Sequence, residues 1–169
     1  MDRMFLSLGS NIGSREVFLT EAIRQLDKHF ARLSVSSIYQ TAPQDYTEQD
    51  DFYNIIAVYR YDGQNVYDIL NVCHEIENGL GRAEYHHIDK GPRPIDVDII
   101  TIDGMNVDKP DLHIPHAAYQ RRNFVLVPLM EVLETQNNAA DKMWLDEILS
   151  CIEANGDQNV VKIREFPIL

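Results

Sequence analysis

The stretch Ile95-Asp96-Val97-Asp98-Ile99-Ile100-Thr101-Ile102 decides the fold, because it is the clearest β-strand in the sequence. Side chains alternate between the two faces of a strand. One face of this strand is apolar and carries Ile95, Val97 and Ile99. The opposite face carries Asp96, Asp98 and Ile100. This pattern predicts a strand that lies within a sheet, with one face against a hydrophobic core.

The flanking sequence supplies the other elements. Apolar residues at strand spacing predict strands over residues 4–8, 33–39, 53–61 and 160–166. Helical spacing predicts helices over 15–30, 65–78 and 144–152, with a short helix over 116–122. Asp103-Gly104 predicts a hairpin turn into residues 105–107.

The order of these elements favours an α+β fold of the ferredoxin-like type, with helices packed on one face of a mostly antiparallel sheet. Two strands follow each other without a helix between residues 33 and 61, which argues against an alternating parallel sheet. The length of 169 residues suits one domain. We expect residues 1–169 to form that domain, with about 135–169 as its C-terminal extension.

Composition limits the kinds of partner. The chain has 27 Asp and Glu against 15 Lys and Arg, a net charge of −12. This balance argues against nucleic acid and anionic membranes, but local cations or a bound metal can still create a site for an anionic small molecule. The first residues lack the pattern of a signal peptide, and the longest apolar stretch, residues 124–130, is too short to span a membrane. A cytoplasmic protein is the resulting expectation.

Cysteines and glycines exclude several kinds of site. Cys73 and Cys151 lie outside any CxxC or Cys/His cluster, which argues against a zinc site or redox motif. We expect buried free thiols, with a disulfide between them as the alternative. Gly79-Leu80-Gly81 follows a helix instead of opening one, and no GxxxxGK[ST] sequence occurs. A P-loop and a dinucleotide-binding motif are therefore excluded.

Asp96 and Asp98 are the strongest candidates for chemistry. Residues two apart on a strand point to the same side, about 7 Å apart. Two carboxylates on a half-buried face are costly unless a cation lies between them, and Mg²⁺ is commonly held by one or two carboxylates together with substrate phosphates. The alternative is a solvated sheet face. Four arginines could bind a polyphosphate beside this pair, or be ordinary surface residues: Arg82, Arg93, Arg121 and Arg122.

These residues fall in a series of motifs that resembles one known family. In chain order the motifs are Leu8-Gly9-Ser10-Asn11, Tyr39-Gln40-Thr41-Ala42-Pro43, Phe52-Tyr53-Asn54, Glu77-Asn78-Gly79-Leu80-Gly81-Arg82, Gly91-Pro92-Arg93-Pro94-Ile95-Asp96-Val97-Asp98, Ile114-Pro115-His116 and Arg122-Asn123-Phe124. From about residue 5 to 134 their order and spacing resemble the 6-hydroxymethyl-7,8-dihydropterin pyrophosphokinases of folate biosynthesis. The G-P-R-x-x-D-x-D run is specific, whereas the other motifs are individually weak.

The resemblance implies transfer of pyrophosphate from ATP to the pterin hydroxymethyl group, with release of AMP. It implies two Mg²⁺ ions on Asp96 and Asp98 that bridge to the ATP phosphates and assist in-line attack at the β-phosphorus. Arg82 and Arg93 would stabilise the phosphate charge. The resemblance implies no protein nucleophile, so catalysis would rest on positioning and electrostatics.

The resemblance also implies two substrate sites. Phe52 and Phe124 would sandwich the pterin, although by themselves such aromatic residues are more often part of a core. Asn54 would bind the polar edge of the pterin. The other implied pterin-site residues are Thr41, Ala42, Gln44 and Asp96. The implied ATP-site residues are His74, Glu77, Arg82, Arg93, Ile99, His116 and Arg122.

The chain departs from the family pattern in the ATP site. His74 stands where the family often has Gln, and Ala117 stands where it often has an aromatic residue. Residues 83–90, which would form a lid over the site, hold His86, His87 and Lys90 instead of a Trp and several basic residues.

Two other functions stay open on the residues alone. One is a ferredoxin-like, small-molecule-binding regulatory domain without turnover. The other is a different Mg²⁺-dependent phosphoryl-transfer or nucleotidyl-transfer enzyme, because a DxD motif does not name the acceptor. For the implied pyrophosphokinase we expect ATP and the pterin as small-molecule partners, and a monomer or weak homodimer.

Overall fold

The computed structural model describes residues 1–43, 48–85 and 91–167. Its strands are β1 (Asp2–Ser10), β2 (Arg32–Val35), β3 (Ile38–Thr41), β4 (Phe52–Tyr61), β5 (Asp96–Ile102), β6 (Val107–Lys109), β7 (Leu112–Ile114) and β8 (Val161–Arg164). Its α-helices are α1 (Arg15–Leu26), α2 (Val66–Gly79), α3 (Asn123–Gln136) and α4 (Lys142–Asn155). Short 3₁₀ helices cover Arg82–Tyr85, Tyr119–Arg121 and Ala139–Asp141.

The main sheet has the strand order β5-β1-β4-β3-β8, and β2 also pairs with β4. Every described pair in this sheet is antiparallel. Strand β1 is joined to the β2–β4 region by α1, and the central strand β4 is joined to β5 by α2. This is the arrangement of a ferredoxin-like α+β fold, so the predicted fold class is confirmed.

Helices cover both faces of the sheet. Met4, Leu6 and Leu8 of β1 are fully buried in the cluster that includes α1 and α2. Phe5 points to the other face and packs in the cluster formed with α3 and α4. The sequence pattern predicted helices on one face of the sheet only. This prediction is wrong, because helix α3, which was not predicted, covers the other face.

The sequence of α3 explains why this helix was missed. Its buried residues are Asn123, Val125, Leu126, Pro128, Leu129, Val132 and Leu133. The helix lies between the sheet and α4, so it is apolar around much of its circumference and lacks a clear polar stripe. It also contains Pro128, a residue that usually argues against a helix interior.

A bulge in β5 changes the side of the sheet to which the following side chains point. The pairing with β1 shifts between Phe5 and Leu6, so that Ile100 is the extra residue. Ile100 lies in the α3 cluster, whereas Ile102 lies in the α1–α2 cluster. Before the bulge the predicted alternation holds, and the acidic residues of β5 share the α3 face of the sheet.

Two predicted strand arrangements are wrong. The strand over 33–39 is divided into β2 and β3, because the hydroxyl of Ser36 donates to the carbonyl of Ser37 and accepts from the N–H of Ile56. The turn at Asp103-Gly104 forms, but β6 pairs with β7 in a separate sheet instead of with β5. The Asp103 carboxylate is bound by the Nε of Arg3 at 2.7 Å, and the chain leaves the main sheet after this turn.

The C-terminal part of the chain packs back onto the sheet, where the sequence predicted a helix and a last strand. Helix α4 joins the α3 cluster, and β8 pairs with β3. Both cysteines are free, as predicted, but only Cys73 is fully buried, and Cys151 is half-buried. Across the described ranges, no helix is both long enough and apolar enough to cross a membrane.

Candidate active site

A cleft with two joined compartments opens beside the carboxylates of β5. The aromatic compartment, of about 260 Å³, includes Thr41, Phe52, Asn54, Arg93 and Phe124 in its lining. The histidine compartment, of about 540 Å³, includes His74, Glu77, Ile99 and His113. Four residues line both compartments: Arg82, Asp96, Asp98 and His116. The acidic pair predicted from the sequence therefore lies where the two compartments meet.

The register of β1 builds the floor of this cleft. Gly9 lies opposite Asn54 on β4 and opposite Asp96 on β5. Ser7 lies opposite Asp98 in the same way. Because these positions share one face of three adjacent strands, polar residues far apart in the sequence come together on the floor of one cleft.

Gly9 makes room for Asn54. A Cβ atom at position 9 would lie 3.0 Å from the Oδ1 of Asn54. The Nδ2 of Asn54 donates to the Oγ1 of Thr41 at 2.8 Å, which holds the carboxamide in one orientation. The glycine therefore lets this amide lie close over β1, at the floor of the aromatic compartment.

Two arginines bind the first carboxylate of the pair. The Nη1 of Arg82 donates to the Oδ1 of Asp96 at 2.5 Å. The Nη1 of Arg93 lies 3.3 Å from the Oδ2 of the same carboxylate. Arg122 lines the aromatic compartment nearby. The structure therefore brings together the arginines and carboxylates that the sequence only suggested as neighbours.

Glu77 lies beneath the pair and is 4% exposed. Its Oε1 accepts hydrogen bonds from the Nη1 of Arg82 and, at 2.7 Å, from the N–H of Val97, the residue between the two aspartates. Burial raises the pKa of Glu77 to about 7, and Arg82 opposes that rise. These contacts orient Arg82 and the β5 backbone, so Glu77 acts on the cleft through Arg82.

Asp98 completes a donor set that suits Mg²⁺. Burial, together with the neighbouring charge of Asp96, raises the pKa of Asp98 to about 6. Such a pair of hard oxygen donors is stabilised by a divalent cation. Among the described residues no group of three or more His, Cys, Asp and Glu could hold a metal. Asp96 and Asp98 are the two carboxylates that the described residues offer at this point of the cleft, and Mg²⁺ in proteins commonly completes its shell with water and substrate phosphates.

His116 is held in one tautomer by the backbone. Its Nδ1 accepts a hydrogen bond from the N–H of Ala118 at 3.1 Å, so the proton of the neutral ring must be on Nε2. Burial lowers the pKa of His116, and the positive charge of Arg122 lowers it further. At neutral pH the ring therefore offers one N–H donor to the part of the cleft that both compartments share.

The predicted aromatic pair lies on the wall of the cleft. Phe52 and Phe124 are both half-buried and both line the aromatic compartment. The guanidinium carbon of Arg93 lies 5.6 Å from the Phe52 ring centre, and that of Arg122 lies 5.7 Å from the Phe124 ring centre. Both rings therefore line the compartment, and Phe124 also packs against the α3 cluster, as the alternative of a core residue predicted for it.

Three further predicted site residues line the cleft, and the others lie outside the described residues. Ala42 lines the aromatic compartment, and the exposed His74 lines the histidine compartment. Ile99 lines the histidine compartment although its side chain is buried in the α1–α2 core. Gln44 and residues 86–90 of the predicted lid lie outside the described residues.

Several lining residues were not predicted. In the aromatic compartment these include Ser7, Gly9, Pro43 and Gln49. In the histidine compartment they include Leu70, Asn78, Pro110, Asp111, Leu112 and His113, whereas Ala117, which the sequence marked as a departure in the ATP site, also lines it. Gly9 and Pro43 stand in motifs that the sequence already marked. Residues 110–113 belong to the β6–β7 hairpin, whose position over the cleft is set by tertiary packing and leaves no local signal.

A two-part cleft around a carboxylate pair and several arginines can hold a polyphosphate beside a second substrate, which is what a phosphoryl-type transferase requires. The family model described as 7,8-dihydro-6-hydroxymethylpterin-pyrophosphokinase (HPPK) matches residues 5–134. The chain belongs to this family, which confirms the family predicted from the motifs.

Similar proteins agree with this assignment. The chain is 37% identical over 145 residues to the 2-amino-4-hydroxy-6-hydroxymethyldihydropteridine pyrophosphokinase of Bacillus subtilis, covering 85% of each protein. It is also 37% identical to the protein of that name from Methylorubrum extorquens, covering 78% of this chain and 83% of the relative.

Solved structures support the fold. An HPPK-DHPS structure with substrates has a TM-score of 0.61 at 14% identity, covering 78% of this chain and 40% of that one. Wild-type Plasmodium falciparum HPPK-DHPS with SDX-DHP has a TM-score of 0.59 at 15% identity, covering 95% of this chain and 47% of that one. The chain thus spans less than half the length of these two structures.

Proposed function

We propose that the chain transfers a pyrophosphoryl group from ATP to 6-hydroxymethyl-7,8-dihydropterin in folate biosynthesis, and that the reaction takes place where the two compartments meet. Membership of the pyrophosphokinase family supports the reaction, as the sequence predicted. The observation that carries the location is the carboxylate pair shared by both compartments, with Arg82 bound to it. One substrate on each side would place donor and acceptor on opposite sides of these carboxylates.

The aromatic compartment suits the pterin. Phe52 and Phe124 line this compartment and would stack on the flat rings of the pterin, an arrangement that favours an aromatic ligand. The Asn54 carboxamide, fixed by Thr41, offers hydrogen bonds to the polar edge of the pterin. Ala42 lies at the same wall. Gln44, assigned to this site by the resemblance, stays a prediction.

The histidine compartment suits ATP. His74 and Ile99 line only this compartment, where the nucleoside would lie. His116 and Arg82 line both compartments and Arg122 lines the aromatic one, so these three side chains would contact the phosphates where the compartments meet. Arginine binds phosphate oxygens in a bidentate manner and keeps its charge at all relevant pH values. Glu77 contributes by orienting Arg82.

Asp96 and Asp98 would hold the Mg²⁺ ions, for which the resemblance implies two. Bound Mg²⁺ would neutralise phosphate charge and align the β-phosphorus with the acceptor oxygen. The chain itself supplies the charge of Arg82 and Arg93 and the N–H of His116 around the transferred group. The pterin hydroxyl is the nucleophile, the bond between the α–β bridging oxygen and the β-phosphorus breaks, and AMP leaves. Catalysis by the protein is then positioning and charge stabilisation, with no covalent protein intermediate.

We also place residues 1–169 in a single domain that includes the C-terminal extension. The packing of α4 on α3 and of β8 on β3 supports this assignment. The monomeric or weakly dimeric state and the cytoplasmic location stay predictions from the sequence.

Product analysis tests the proposed function. The protein is incubated with ATP, Mg²⁺ and 6-hydroxymethyl-7,8-dihydropterin, and nucleotides and pterins are separated by chromatography. We expect AMP and the pterin diphosphate in equal amounts, and loss of turnover when EDTA removes Mg²⁺. The matched control acceptor is 6-methyl-7,8-dihydropterin, which keeps the rings but lacks the hydroxyl and should give no product. Formation of ADP, or no turnover at all, would show that the proposal is wrong.

Gly9→Ala should weaken binding of the pterin selectively. The added Cβ would press on the Asn54 carboxamide at 3.0 Å and displace it from its position beside Thr41. We expect KM for the pterin to rise about tenfold, equivalent to one lost hydrogen bond of about 1.4 kcal/mol, while KM for ATP changes less than about twofold. Gly79→Ala is the control, because nothing lies within 4 Å of its Cβ position. An equal effect on both substrates would contradict this role of Gly9.

Two His116 variants show which of the two ring nitrogens binds the substrate. In glutamine the amide nitrogen can take the place of Nε2, whereas in asparagine the amide group lies near Nδ1. We expect His116→Asn to lower kcat/KM for ATP by about 100-fold and His116→Gln by about tenfold or less, because the donor to phosphate is on Nε2. Steady-state kinetics with varied ATP measure this difference. The exposed His29→Asn is the control, and a reversed order of the two His116 variants would refute the tautomer assignment.

A further inference from the structure

Arg15, the first residue of α1, is a half-buried cation that the proposed mechanism does not use. The described residues that line the two compartments of the cleft do not include it. Its guanidinium carbon lies 3.9 Å from the centre of the Tyr53 ring, and Tyr53 packs against the α1–α2 core. The neighbouring Phe52 lines the aromatic compartment. Since successive side chains of a strand point to opposite faces, Arg15 contacts β4 on the face of the sheet away from that compartment.

Arg15 also binds the peptide unit that precedes Phe52. The Nη1 of Arg15 donates to the carbonyl of Asp51 at 2.6 Å. This carbonyl belongs to the peptide bond between Asp51 and Phe52, and the atoms of a peptide unit are coplanar up to the next Cα. The carboxylate of Asp51 is bound separately, because its Oδ2 accepts from the Nε2 of Gln40 at 2.7 Å. These hydrogen bonds therefore fix the plane that contains the Cα of Phe52.

The sheet supports Phe52 less than the rest of β4, because this residue begins the strand. In the described pairing with β1 the last pair is Ser10 with Tyr53, so Phe52 lies beyond it. In the pairing with β3 the last pair is Thr41 with Phe52. The ends of strands open more readily than their centres. Arg15 contacts the residue on each side of Phe52 and so restrains this end of β4.

Arginine is the side chain that can make both contacts at once. Its planar guanidinium covers an aromatic ring with its face and donates hydrogen bonds from its edge. The ammonium group of lysine is a compact point charge without such a plane. In this structure the guanidinium of Arg15 lies over Tyr53 and donates to the Asp51 carbonyl.

We propose that Arg15 is a positioning residue for the pterin, which fixes the Phe52 ring in its stacking position from the opposite face of the sheet. On the side of the cleft, the guanidinium carbon of Arg93 lies 5.6 Å from the centre of the same ring. A ring that is held before the ligand arrives does not have to be ordered on binding, so the affinity for the pterin is higher. This inference rests on the proposed function, which assigns the pterin to the aromatic compartment.

Three variants test the contacts that restrain Phe52. Arg15→Met keeps the apolar stem but removes the hydrogen bond to Asp51 and the cation over Tyr53. Arg15→Lys keeps a charge and a donor without the plane, so it should restore part of the function. Gln40→Met removes the bond to the Asp51 carboxylate, which keeps the test possible if an Arg15 variant fails to fold. Arg24→Met is the matched control, because this second arginine of α1 has a side chain that is 62% exposed.

Calorimetry measures the affinity for each substrate. Each variant is saturated with α,β-methylene ATP and Mg²⁺ and titrated with 6-hydroxymethyl-7,8-dihydropterin. The analogue replaces the bridging oxygen of the bond that must break, so no transfer occurs. We expect the dissociation constant of the pterin to rise about fivefold to tenfold in Arg15→Met and about twofold to threefold in Arg15→Lys and Gln40→Met. The dissociation constant of the analogue should change less than about twofold in every variant.

A double-mutant cycle shows whether Arg15 acts through Phe52. Phe52→Leu removes the ring that Arg15 is proposed to position. When Arg15→Met is added to Phe52→Leu, we expect the dissociation constant of the pterin to rise by less than about twofold, because the two effects are not independent. The same fivefold to tenfold loss in both backgrounds would overturn the proposal, since Arg15 would then act on another part of the site.

The remaining outcomes separate this role from a structural one. A loss of pterin affinity without a loss of analogue affinity, together with wild-type values in Arg24→Met, supports the inference. Unchanged pterin affinity in Arg15→Met and Gln40→Met overturns it, even if the melting temperatures fall, because Arg15 would then only stabilise the fold. An equal loss of both ligands also overturns it. The product assay of the wild-type protein separates the two proposals: a protein without turnover overturns the proposed function, whereas a protein with turnover whose Arg15→Met variant keeps its pterin affinity overturns this inference alone.

Discussion

Replacing Asp98 with asparagine should abolish pyrophosphoryl transfer without lowering the thermal stability of the protein. Asp98 is one of two carboxylates at the junction of the compartments, where Mg²⁺ and the transferred phosphate would meet. Loss of one such electrostatic contact to a transition state reduces kcat by about 10²-fold to 10³-fold, and weaker Mg²⁺ binding adds to this. We therefore expect a reduction of about 10³-fold or more.

Whereas its turnover should fall, the Asp98→Asn variant should be at least as stable as the wild-type protein. Burial and the charge of Asp96 raise the pKa of Asp98 to about 6, so the ionised form is less favourable in the folded protein than in the unfolded chain. A raised carboxyl pKa means that the folded protein loses stability as pH rises from about 4 to about 6. Asparagine removes this penalty, so at pH 7 without Mg²⁺ the melting temperature should be equal or higher.

Thermal unfolding followed by circular dichroism, together with the product assay, checks both parts of this prediction. Asp146→Asn on the exposed surface of α4 is the control and should retain wild-type turnover and stability. If activity were lost in parallel with a fall in melting temperature, a metal-binding role for Asp98 would lose its support, because unfolding would account for the result.

Replacing Arg3 with methionine should give the largest loss of stability. The Arg3 side chain is 11% exposed. Its Nη1 and Nη2 donate to Asp141 at 2.6 and 2.7 Å, and its Nε donates to Asp103 at 2.7 Å. Nη1 also donates to Gln136 at 2.9 Å. This guanidinium thus joins the start of β1, the turn after β5 and the connection between α3 and α4.

The expected cost follows from the burial of its partners. The Asp141 side chain is 5% exposed, so removal of Arg3 leaves a buried carboxylate without its counter-ion. Breaking such a pair costs about 3 kcal/mol or more, which for a domain of this size lowers the melting temperature by roughly 6–12 °C. Methionine keeps a long apolar stem, so the loss reports the charge network more than packing.

An exposed arginine provides the comparison. Arg24→Met removes an ion pair with Glu21 at 3.3 Å in which the arginine side chain is 62% exposed, and it should change stability by no more than about 0.5 kcal/mol. In Arg3→Met, adding Asp141→Asn should restore part of the lost stability, because it removes the unpaired charge. Equal stability of Arg3→Met and Arg24→Met would show that the C-terminal extension docks without this network.

Local sequence patterns predicted the parts of the fold that are amphipathic. β5 was predicted from alternation, with its acidic residues on one face, and α2 from apolar residues at helical spacing. Helix α3 was missed because it is covered on two sides and its pattern has no polar stripe. Strand β6 was misassigned because residues 107–109 pair with β7, the next strand along the chain, in a separate sheet instead of with β5.

The candidate site also has a part that the sequence predicted and a part that it did not. Motif spacing predicted Arg82, Arg93, Asp96 and Asp98 as the charged centre, and these residues do lie together. It did not predict that Glu77 accepts a hydrogen bond from Arg82, nor that Asn11 bonds to both Arg93 and Gln49. These hydrogen bonds join separate segments, and such bonds leave no periodic signal in a sequence.

The sequence by itself determined the family, the reaction and the residue types at the centre, because the chemistry requires particular side chains at fixed spacings on a strand. Tertiary structure alone decided that both faces of the sheet are covered, that two compartments meet at the carboxylate pair and that Gly9 leaves space for Asn54. The physical reason is that these features are distances between segments. Such distances are set by how the helices and strands pack, and the local order of residues does not contain them.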